Sequence, residues 1–197
     1  MILERLVPGA SLWAIEDRNE RIKIFAEVAT GLLLKDPGNL SLPNYGEVLD
    51  RAFSKAGGTC PRLDSYIKKA KTIQQRVDAA DLPKYLLHGD LHHDNILSCK
   101  EGRKVIDPHG FIGNRVVESA RFIENEIGAA LVDGNNLRGI IELVGQYFKE
   151  ERQAVAQALY VDKVLTSCWD SEEGVKEEEL SEDIKVLELI GDYLEIK

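Results

Sequence analysis

Two carboxylates and an amide, close together in one part of the chain, could carry out chemistry on a phosphate group. Asp90 and Asn95 belong to a polar segment that follows a short apolar run, and Asp107 comes directly after a second apolar run. Phosphoryl transfer from ATP uses a carboxylate to orient the acceptor hydroxyl, and an Asn and an Asp to bind magnesium at the phosphates. These three residues therefore supply the groups that this reaction needs.

The spacing of these residues is also informative. His88, Asp90 and Asn95 match the pattern H-x-D-x-x-x-x-N of kinase catalytic loops, in which a metal-binding Asp such as Asp107 follows on the next hairpin. The alternative is an Asx-rich turn region whose side chains serve only backbone hydrogen bonding. The complete match of the spacing favours the catalytic interpretation.

A β-hairpin is predicted to position the two metal-ligand candidates. Residues 96–99 and 103–106 are typical of short strands, and Gly102 between them suits a turn position with positive φ. Asn95 precedes the first strand and Asp107 follows the second. Both residues are therefore expected at the same end of the hairpin.

Most of the remaining chain is predicted to be helical, because apolar residues recur at three- and four-residue spacing. The predicted helices span residues 17–34, 45–56, 61–80, 116–131, 137–148, 151–169 and 184–194. The other predicted elements are short strands at 1–6 and 85–87, a turn at 7–10, a glycine-rich loop at 108–115 and an exposed acidic linker at 172–183. The predicted fold class is α+β and mainly helical, with a small hairpin that carries the chemistry.

Length and charge limit the class of protein. A chain of 197 residues can form one substantial domain, and its net charge of −9 argues against nucleic acid as a partner. The same charge would suit a cationic small molecule. No apolar stretch approaches the roughly 20 residues of a membrane span, and the N-terminus lacks a secretory pattern. The expectation is a cytoplasmic protein with no membrane partner.

The three cysteines indicate a reducing environment. Cys60, Cys99 and Cys168 are far apart in the sequence and form no C-x-x-C pair. They are expected to be reduced and mostly packed.

Three segments resemble the aminoglycoside-phosphotransferase-like kinases, most closely their streptomycin kinase and hydroxyurea phosphotransferase branch. The segments are LERLVPGASL at 3–12, similar to that branch's hinge, HGDLHHDNIL at 88–97, similar to its catalytic loop, and VIDPHG at 105–110, similar to its metal-binding turn. Cys168-Trp169-Asp170 is also similar to that branch. The resemblance implies the C-terminal lobe of a protein-kinase-like fold and the transfer of the ATP γ-phosphate to an alcohol group of a small molecule.

The resemblance also implies a role for each matching residue. Asp90 would be the base that orients the substrate hydroxyl or accepts its proton. Asn95 and Asp107 would bind the magnesium ions that bridge the ATP phosphates. Main-chain groups near Glu4 and Leu6 would contact the adenine edge. The implied cofactors are ATP and Mg²⁺.

One departure from the family pattern concerns the N-terminal lobe. Kinases of this group have such a lobe ahead of the hinge, with a phosphate-covering loop, a strand lysine and a helix glutamate, whereas this sequence starts at the hinge-like segment. Residues 1–197 are therefore expected to form a C-terminal lobe alone, with a hinge-like segment at 1–12, the catalytic hairpin at 85–110 and a helical subdomain at 116–197. Without the lysine–phosphate contact, the chain is expected to be a poor or inactive kinase by itself. A missing lobe supplied in trans and a homodimer are both compatible partners.

Two functions of other classes remain open. The chain could be a non-catalytic, truncated kinase relative that binds a small molecule or a partner protein. Alternatively, His88, His92, His93 and Asp94 could form a zinc site, as in a metal-dependent hydrolase. The zinc alternative is disfavoured because adjacent His92 and His93 tend to diverge, and no H-E-x-x-H motif is present.

The sequence also gives expectations for several aromatic and acidic side chains near the motif. We expect His92 to pack under the catalytic loop, His93 to be partly exposed, and His109 to be a loop residue without a catalytic role. Trp13 is expected to pack between the hinge-like segment and a helix. The late residues Trp169, Asp170, Glu172 and Glu173 could line an acceptor site, but a core Trp followed by an exposed acidic linker is the favoured interpretation.

Overall fold

The computed structural model describes residues 6–35, 37–38, 40–80, 82–128, 133–175 and 177–195. In these ranges the strands are β1 (Pro8–Ser11), β2 (Leu34–Lys35), β3 (Tyr85–Leu87), β4 (Ile96–Cys99), β5 (Gly102–Val105) and β6 (Phe111–Gly113). The helices are α1 (Arg18–Leu32), α2 (Tyr45–Ala56), α3 (Asp64–Ala79), α4 (Glu118–Gly128), α5 (Gly134–Phe148), α6 (Arg152–Glu173) and α7 (Glu177–Tyr193). The strand predicted at 1–6 lies outside the described residues except for Leu6.

The strands form two antiparallel sheets, with the orders β1–β4–β5 and β2–β3–β6. β4 and β5 form the predicted hairpin, in which Ile96 lies opposite Val105. The pairing continues one step further, because the backbone N–H of Ile106 donates to the carbonyl of Asn95 at 3.1 Å. The hairpin therefore brings the segment before β4 beside the segment after β5.

Two strands lie where the sequence predicts a turn and a loop. The predicted turn at 7–10 is largely part of β1, which pairs with β4 and places Ser11 opposite Leu97. The predicted loop at 108–115 contains β6, which pairs with β3. Both strands are so short that their pattern of apolar residues carries little information, and a distant partner determines their conformation.

Helix α2 begins and ends at the predicted residues. Its start is fixed by a cap on the first turn. The backbone N–H of Asn44 donates to the Glu47 carboxylate at 2.9 Å, which is one half of a capping box. Helix α1 is capped in a related way, since the Asp17 side chain accepts from the backbone N–H of Glu20 at 2.8 Å.

Helix α6 lies at the centre of the helical part and packs against α2, α3, α4, α5 and α7. It is buried on several faces, as expected of a central helix. Its fully buried apolar residues are Val155, Ala156, Leu159, Val164, Leu165 and Cys168. The shape of the core is thus organised around one helix.

The prediction of an exposed linker at 172–183 is wrong, because most of this segment is helical. Helix α6 continues to Glu173 and ends at Gly174, which adopts a left-handed conformation with φ 75°, and α7 begins at Glu177. Leu180 is buried and continues the apolar stripe of Leu187 and Leu194 at seven-residue spacing. The high acidic content of this segment conceals that helical period.

No helix within the described ranges is both long and apolar enough to cross a membrane. The three cysteines are free thiols, of which Cys168 is buried while Cys60 and Cys99 are partly exposed.

Candidate active site

The catalytic loop, residues 88–95, connects β3 to β4 and is held at its start by Glu118 of α4. The Glu118 carboxylate accepts hydrogen bonds from the backbone N–H groups of His88, at 2.7 Å, and Gly89, at 3.1 Å. Burial raises the pKa of Glu118 to about 7, although both donors favour its charged form. Gly89 has φ +79°, and a Cβ atom there would lie 2.6 Å from the ring of Phe111. The turn before Asp90 therefore requires glycine.

His88 joins the catalytic loop to the turn that carries Asp107. Its Nε2 lies 2.8 Å from the carbonyl oxygen of Ile106, and its own carbonyl accepts from the backbone N–H groups of His109 and Gly110. Burial lowers the pKa of His88, which keeps the imidazole neutral at pH 7. The imidazole thus has a bracing position rather than a position facing a substrate.

Asp90 is partly exposed and surrounded by positive or polar groups. Its Oδ2 lies 3.6 Å from Nε2 of His92 and 3.8 Å from Nε2 of His109. Burial acts to raise the pKa of Asp90, but hydrogen bonding with His92 and the charge of Arg121 outweigh it and hold that pKa below its ordinary value. Asp90 is therefore an ionised carboxylate at neutral pH, as a proton acceptor must be.

Asn95 lies beside Asp90. Its Nδ2 donates to the Asp90 carbonyl at 2.8 Å and approaches the Asp90 carboxylate at 3.4 Å. These contacts fix the orientation of the amide, and Asn95 is 6% exposed.

Asp107 follows Ile106, whose backbone is bonded to both Asn95 and His88. Asp107 is exposed and adopts the left-handed conformation, with φ 54°. An amide oxygen and a carboxylate are hard ligands of the kind that magnesium prefers. The pair therefore fits this ion, with Asn95 and Asp107 as the side chains that would hold it.

His93 corrects the prediction for the paired histidines. His93 is fully buried, whereas the side chain of His92 is about one-fifth exposed. Nε2 of His93 lies 2.9 Å from Glu126, and its ring stacks on Trp13. The sequence prediction assigned the buried position to the wrong member of the pair, because the buried acid that binds His93 lies 33 residues away.

One side of the site is bordered by α4 and α6. Trp169 packs edge-on to His109, with 6.5 Å between ring centroids, and the Arg121 guanidinium lies 5.2 Å from the Trp169 ring centroid. Arg121 pairs with Asp162 at 2.9 Å, and Asp162 also accepts from the buried hydroxyl of Tyr45 at 2.9 Å. Trp169 is thus a partly buried residue that packs against the core and contacts His109, which in turn lies beside Asp90.

The acidic residues after Trp169 are not a linker. Glu172 forms an ion pair of 2.9 Å with Lys55 of α2, and burial raises the pKa of Asp170. Trp169, Glu172 and residues of α2 line a groove of about 410 Å³. Trp169, which lines this groove, also contacts the ring of His109.

The predicted adenine contacts involve Glu4 and Leu6. Glu4 lies outside the described residues, whereas Leu6 is partly buried and precedes β1. Gly9 has φ +71°, and a Cβ atom there would lie 2.8 Å from the Leu6 carbonyl oxygen. The backbone after Leu6 is therefore a tight turn that excludes a side chain at Gly9.

The alternative zinc site does not fit the observed geometry. His88 is directed to Ile106 and His93 to Glu126, so the histidines diverge. In the described part of the chain, no three His, Cys, Asp or Glu side chains converge as a metal site.

Three buried charged residues that hold the site were not identified from the sequence. Glu118, Glu126 and Arg21 are each at most 8% exposed. A signal was present for the two acids, because Glu118, Phe122 and Glu126 recur every four residues and so share one face of α4. Charges in phase with a buried aromatic ring indicate buried partners.

Comparison with known proteins identifies the family. Residues 1–174 match the sequence profile of the family described as "Aminoglycoside/hydroxyurea antibiotic resistance kinase". The chain belongs to this kinase family. A streptomycin 3''-kinase from Klebsiella pneumoniae is 39% identical over 57 residues, which are 28% of this chain and 21% of that enzyme. The predicted resemblance is therefore confirmed.

Solved kinase structures share the fold of this aminoglycoside/hydroxyurea kinase family member. A choline/ethanolamine kinase family protein from Mesorhizobium loti superposes with a TM-score of 0.69 at 14% identity, over 95% of this chain and 68% of that chain. The choline kinase LicA from Streptococcus pneumoniae gives a TM-score of 0.63 at 14% identity, over 91% of this chain and 66% of that chain. The predicted fold class, mainly helical and kinase-like, is confirmed. The chain spans about two thirds of these structures and a smaller part of the streptomycin kinase.

Proposed function

We propose that this kinase-family chain is a phosphotransferase that transfers the γ-phosphate of ATP to an alcohol group of a small molecule. The observation that carries the proposal is the contact between Asp90 and Asn95, with Nδ2 of Asn95 2.8 Å from the Asp90 carbonyl. The backbone hydrogen bond from Ile106 to Asn95 joins the segment that precedes Asp107 to the same pair, which supports a shared site. A proposed proton acceptor and two proposed oxygen ligands thus belong to segments that are hydrogen-bonded to each other, which supports phosphoryl transfer.

In the proposed reaction, Asp90 orients the acceptor hydroxyl in line with the γ-phosphate. The acceptor oxygen forms a bond to the γ-phosphorus, the bond to the β-phosphate oxygen breaks, and the hydroxyl proton passes to the Asp90 carboxylate. Magnesium bound by Asn95 and Asp107 would neutralise charge on the phosphates. The lowered pKa of Asp90 supports this role, since the residue is ionised before the acceptor binds.

We further propose that the nucleotide lies against the backbone near Glu4 and Leu6. Family membership supports the use of ATP. A LicA structure determined in complex with AMP superposes on this chain with a TM-score of 0.63 at 11% identity, over 95% of this chain and 68% of that chain. Leu6 lies just before β1, in the segment that resembles the hinge of the family, which supports this position for the base.

A cationic polyol such as streptomycin is the proposed acceptor class. The related streptomycin kinase acts on a compound of this class, and the net charge of −9 favours a cation. The groove lined by Trp169 and α2 has a volume of about 410 Å³ and would accept part of such a molecule. Its two acids, Glu47 and Glu172, are balanced by Arg51 and Lys55, so the groove supports the size of the acceptor and not its charge.

The proposed base is tested with two matched variants of one loop. Purified chain at high concentration is mixed with radiolabelled ATP, Mg²⁺ and streptomycin, and transfer is followed in a single turnover. Asp90→Asn should reduce the rate by about 10²–10⁴-fold, the usual contribution of a positioned base. Asp94→Asn is the control, because the Asp94 side chain is 61% exposed and should change the rate little. Equal rates for wild type and Asp90→Asn would remove Asp90 from the mechanism.

We expect the isolated 197-residue chain to be a slow kinase, because it spans 68% of the Mesorhizobium loti structure that it resembles. Rapid, multiple-turnover phosphorylation by this chain alone would contradict that expectation. The proposed partner is a second copy or a separate lobe that covers the sheet edges.

A non-catalytic binding module is the second candidate. It is supported by Val7 and Leu34, which are 55% and 53% exposed and lie beside β1 and on β2. Both are edge strands, and an edge strand with exposed apolar residues is suited to pairing with another chain. Sedimentation at increasing concentration tests this candidate, since a monomer at all concentrations would argue against self-association.

A further inference from the structure

A stack of four aromatic rings connects the catalytic loop to distant parts of the chain. Trp13 stacks on His93 with 3.7 Å between centroids, and His93 stacks on Phe122 with 4.3 Å. Phe122 in turn stacks on Phe25 with 4.2 Å between centroids. The interplanar angles in this ring stack are 9°, 15° and 14°, so the four planes are nearly parallel. The stack joins the segment after β1, the catalytic loop, α4 and α1.

A hydrogen-bond network fixes the same histidine within the plane of its ring. Nε2 of His93 lies 2.9 Å from Oε1 of Glu126. Arg21 binds both oxygens of this carboxylate, at 2.7 and 2.9 Å, and Glu126 is 1% exposed. The Arg21 guanidinium also lies 5.2 Å from the Trp13 ring centroid. Arg21 therefore connects the hydrogen-bond network to the ring stack.

The two sets of contacts restrict different motions. Stacking between Trp13 and Phe122 fixes the plane of the imidazole, and the bond to Glu126 fixes its rotation within that plane. A side chain held in both ways leaves its own backbone little freedom. The backbone of His93 forms one short helical turn with Asn95, residues 93–95.

We propose that His93 is a positioning residue, which acts through the backbone of this turn to hold Asn95 against Asp90. This inference rests on the proposed phosphotransferase function, in which Asn95 and Asp90 act together. His93 itself touches no reacting group, since its ring is enclosed by Trp13 and Phe122.

His92 also contacts the pair, since its Nε2 lies 3.2 Å from Nδ2 of Asn95 and 3.6 Å from Oδ2 of Asp90, but its side chain is about one-fifth exposed. His93 is the fully buried, hydrogen-bonded anchor between Asp90 and Asn95, and the other anchors lie at the ends of the loop. Glu118 holds His88 and Gly89 at the start of the loop, and Ile106 holds Asn95 at its end. Between Asp90 and Asn95 the other fully buried side chain is Leu91, which offers apolar contact without a directional bond.

The test compares two substitutions that remove different contacts of His93. His93→Phe keeps a ring between Trp13 and Phe122 but removes the bond to Glu126, which retains both bonds from Arg21. His93→Gln keeps an N–H donor but removes the ring. A matched control is Phe25→Leu, because Phe25 belongs to the ring stack, is fully buried and has its ring contacts with Phe122 and Phe148 rather than with the loop.

Two readouts are measured on the full chain. In the single-turnover assay, His93→Phe should lower the transfer rate about 10–100-fold, the usual effect of removing a group that orients a ligand, with the KM for the acceptor unchanged. Phe25→Leu should lower the melting temperature and leave the rate unchanged. If His93→Phe lowers the melting temperature but leaves the transfer rate unchanged, as is expected of Phe25→Leu, the proposal is overturned.

Hydrogen exchange of the chain without ligands separates this proposal from the proposed function. Under conditions where each variant is folded, His93→Phe and His93→Gln should accelerate exchange in peptides covering residues 88–97, and Phe25→Leu should not. If wild type transfers no phosphate but this difference is observed, the phosphotransferase function fails and the positioning role stands. If exchange of the loop is the same in all three variants, the positioning role fails whatever the activity.

Discussion

The Glu118 carboxylate lies 2.7 Å from the backbone nitrogen of His88, although 30 residues separate them in the sequence. The same carboxylate accepts from Gly89 at 3.1 Å, so one buried acid satisfies two consecutive backbone donors. A buried N–H group without a partner is costly. The Glu118 carboxylate therefore satisfies the backbone N–H groups of His88 and Gly89 at the point where the loop leaves β3 and turns next to Phe111.

Replacing Glu118 should destabilise the protein in proportion to the acceptors removed. Glu118→Ala leaves two buried donors unsatisfied and should cost about 2–6 kcal/mol, at about 1–3 kcal/mol for each unmatched group. Glu118→Gln retains one acceptor oxygen and should cost roughly half as much. Urea unfolding of the two variants measures the difference. Equal losses for Ala and Gln would contradict this account of the loop.

Alanine substitutions at Gly89 and Gly58 compare a position where a Cβ atom is crowded with one where it is not. Their φ angles are +79° and +82°, but a Cβ atom at Gly89 would lie 2.6 Å from Phe111, whereas one at Gly58 meets nothing within 4 Å. Gly58→Ala should therefore cost only about 1–2 kcal/mol of backbone strain. Gly89→Ala should cost about 1–3 kcal/mol more, because Phe111 must move. Thermal unfolding measures both losses, and similar values for the two variants would exclude the clash with Phe111.

The sequence predicts where the proposed reacting groups lie better than it predicts the groups that hold them. Asp90, Asn95 and Asp107 follow from spacing, because each sits at the end of a short strand or within one loop. The four-residue spacing of Glu118 and Glu126 with Phe122 indicates that both acids are buried, but it does not identify the groups that they bind until the chain has folded. His93 was misassigned for this reason.

The bounds of a helix or strand are likewise predicted well where local residues determine them and poorly where a distant strand does. Helix α2 is determined by a local cap at Asn44 and was predicted to the residue. β1 and β6 depend on strands about 90 and 25 residues away along the chain, and neither has a local signal that identifies it.

Asp107 should show opposite effects on stability and on function. Its φ of 54° lies in the left-handed region, which favours glycine. Asp107→Gly should be as stable as wild type or up to about 1 kcal/mol more stable, yet it should lose magnesium-dependent nucleotide binding in calorimetric titration. Lys149→Gly is the control, because Lys149 has φ 56° at the end of α5. That variant should be stabilised similarly and bind nucleotide as wild type does. A marked loss of stability in Asp107→Gly would show that the carboxylate has a structural role.

Glu126 should make the protein sensitive to acid. Burial acts to raise the pKa of Glu126, but the hydrogen bonds from His93 and Arg21 lower it to about 2, against 4.5 for an ordinary glutamate. Because the pKa is lower in the folded state, the stabilisation is complete above about pH 4.5 and is lost as the pH falls towards 2. The difference of about 2.5 pKa units corresponds to about 3 kcal/mol.

The comparison of two glutamine variants isolates this contribution from that of other carboxylates. At pH 6, Glu126→Gln should be less stable than wild type by about 3 kcal/mol or more, because Arg21 remains buried opposite a neutral group. At pH 3 the difference should be smaller by about 2 kcal/mol, since wild type has by then lost most of its advantage. Glu142→Gln provides the control, because the Glu142 side chain is 47% exposed and only loosely paired with Arg152. Its small effect on urea unfolding should be the same at both pH values. If the difference between wild type and Glu126→Gln is also independent of pH, the carboxylate of Glu126 is not held ionised by Arg21 and His93.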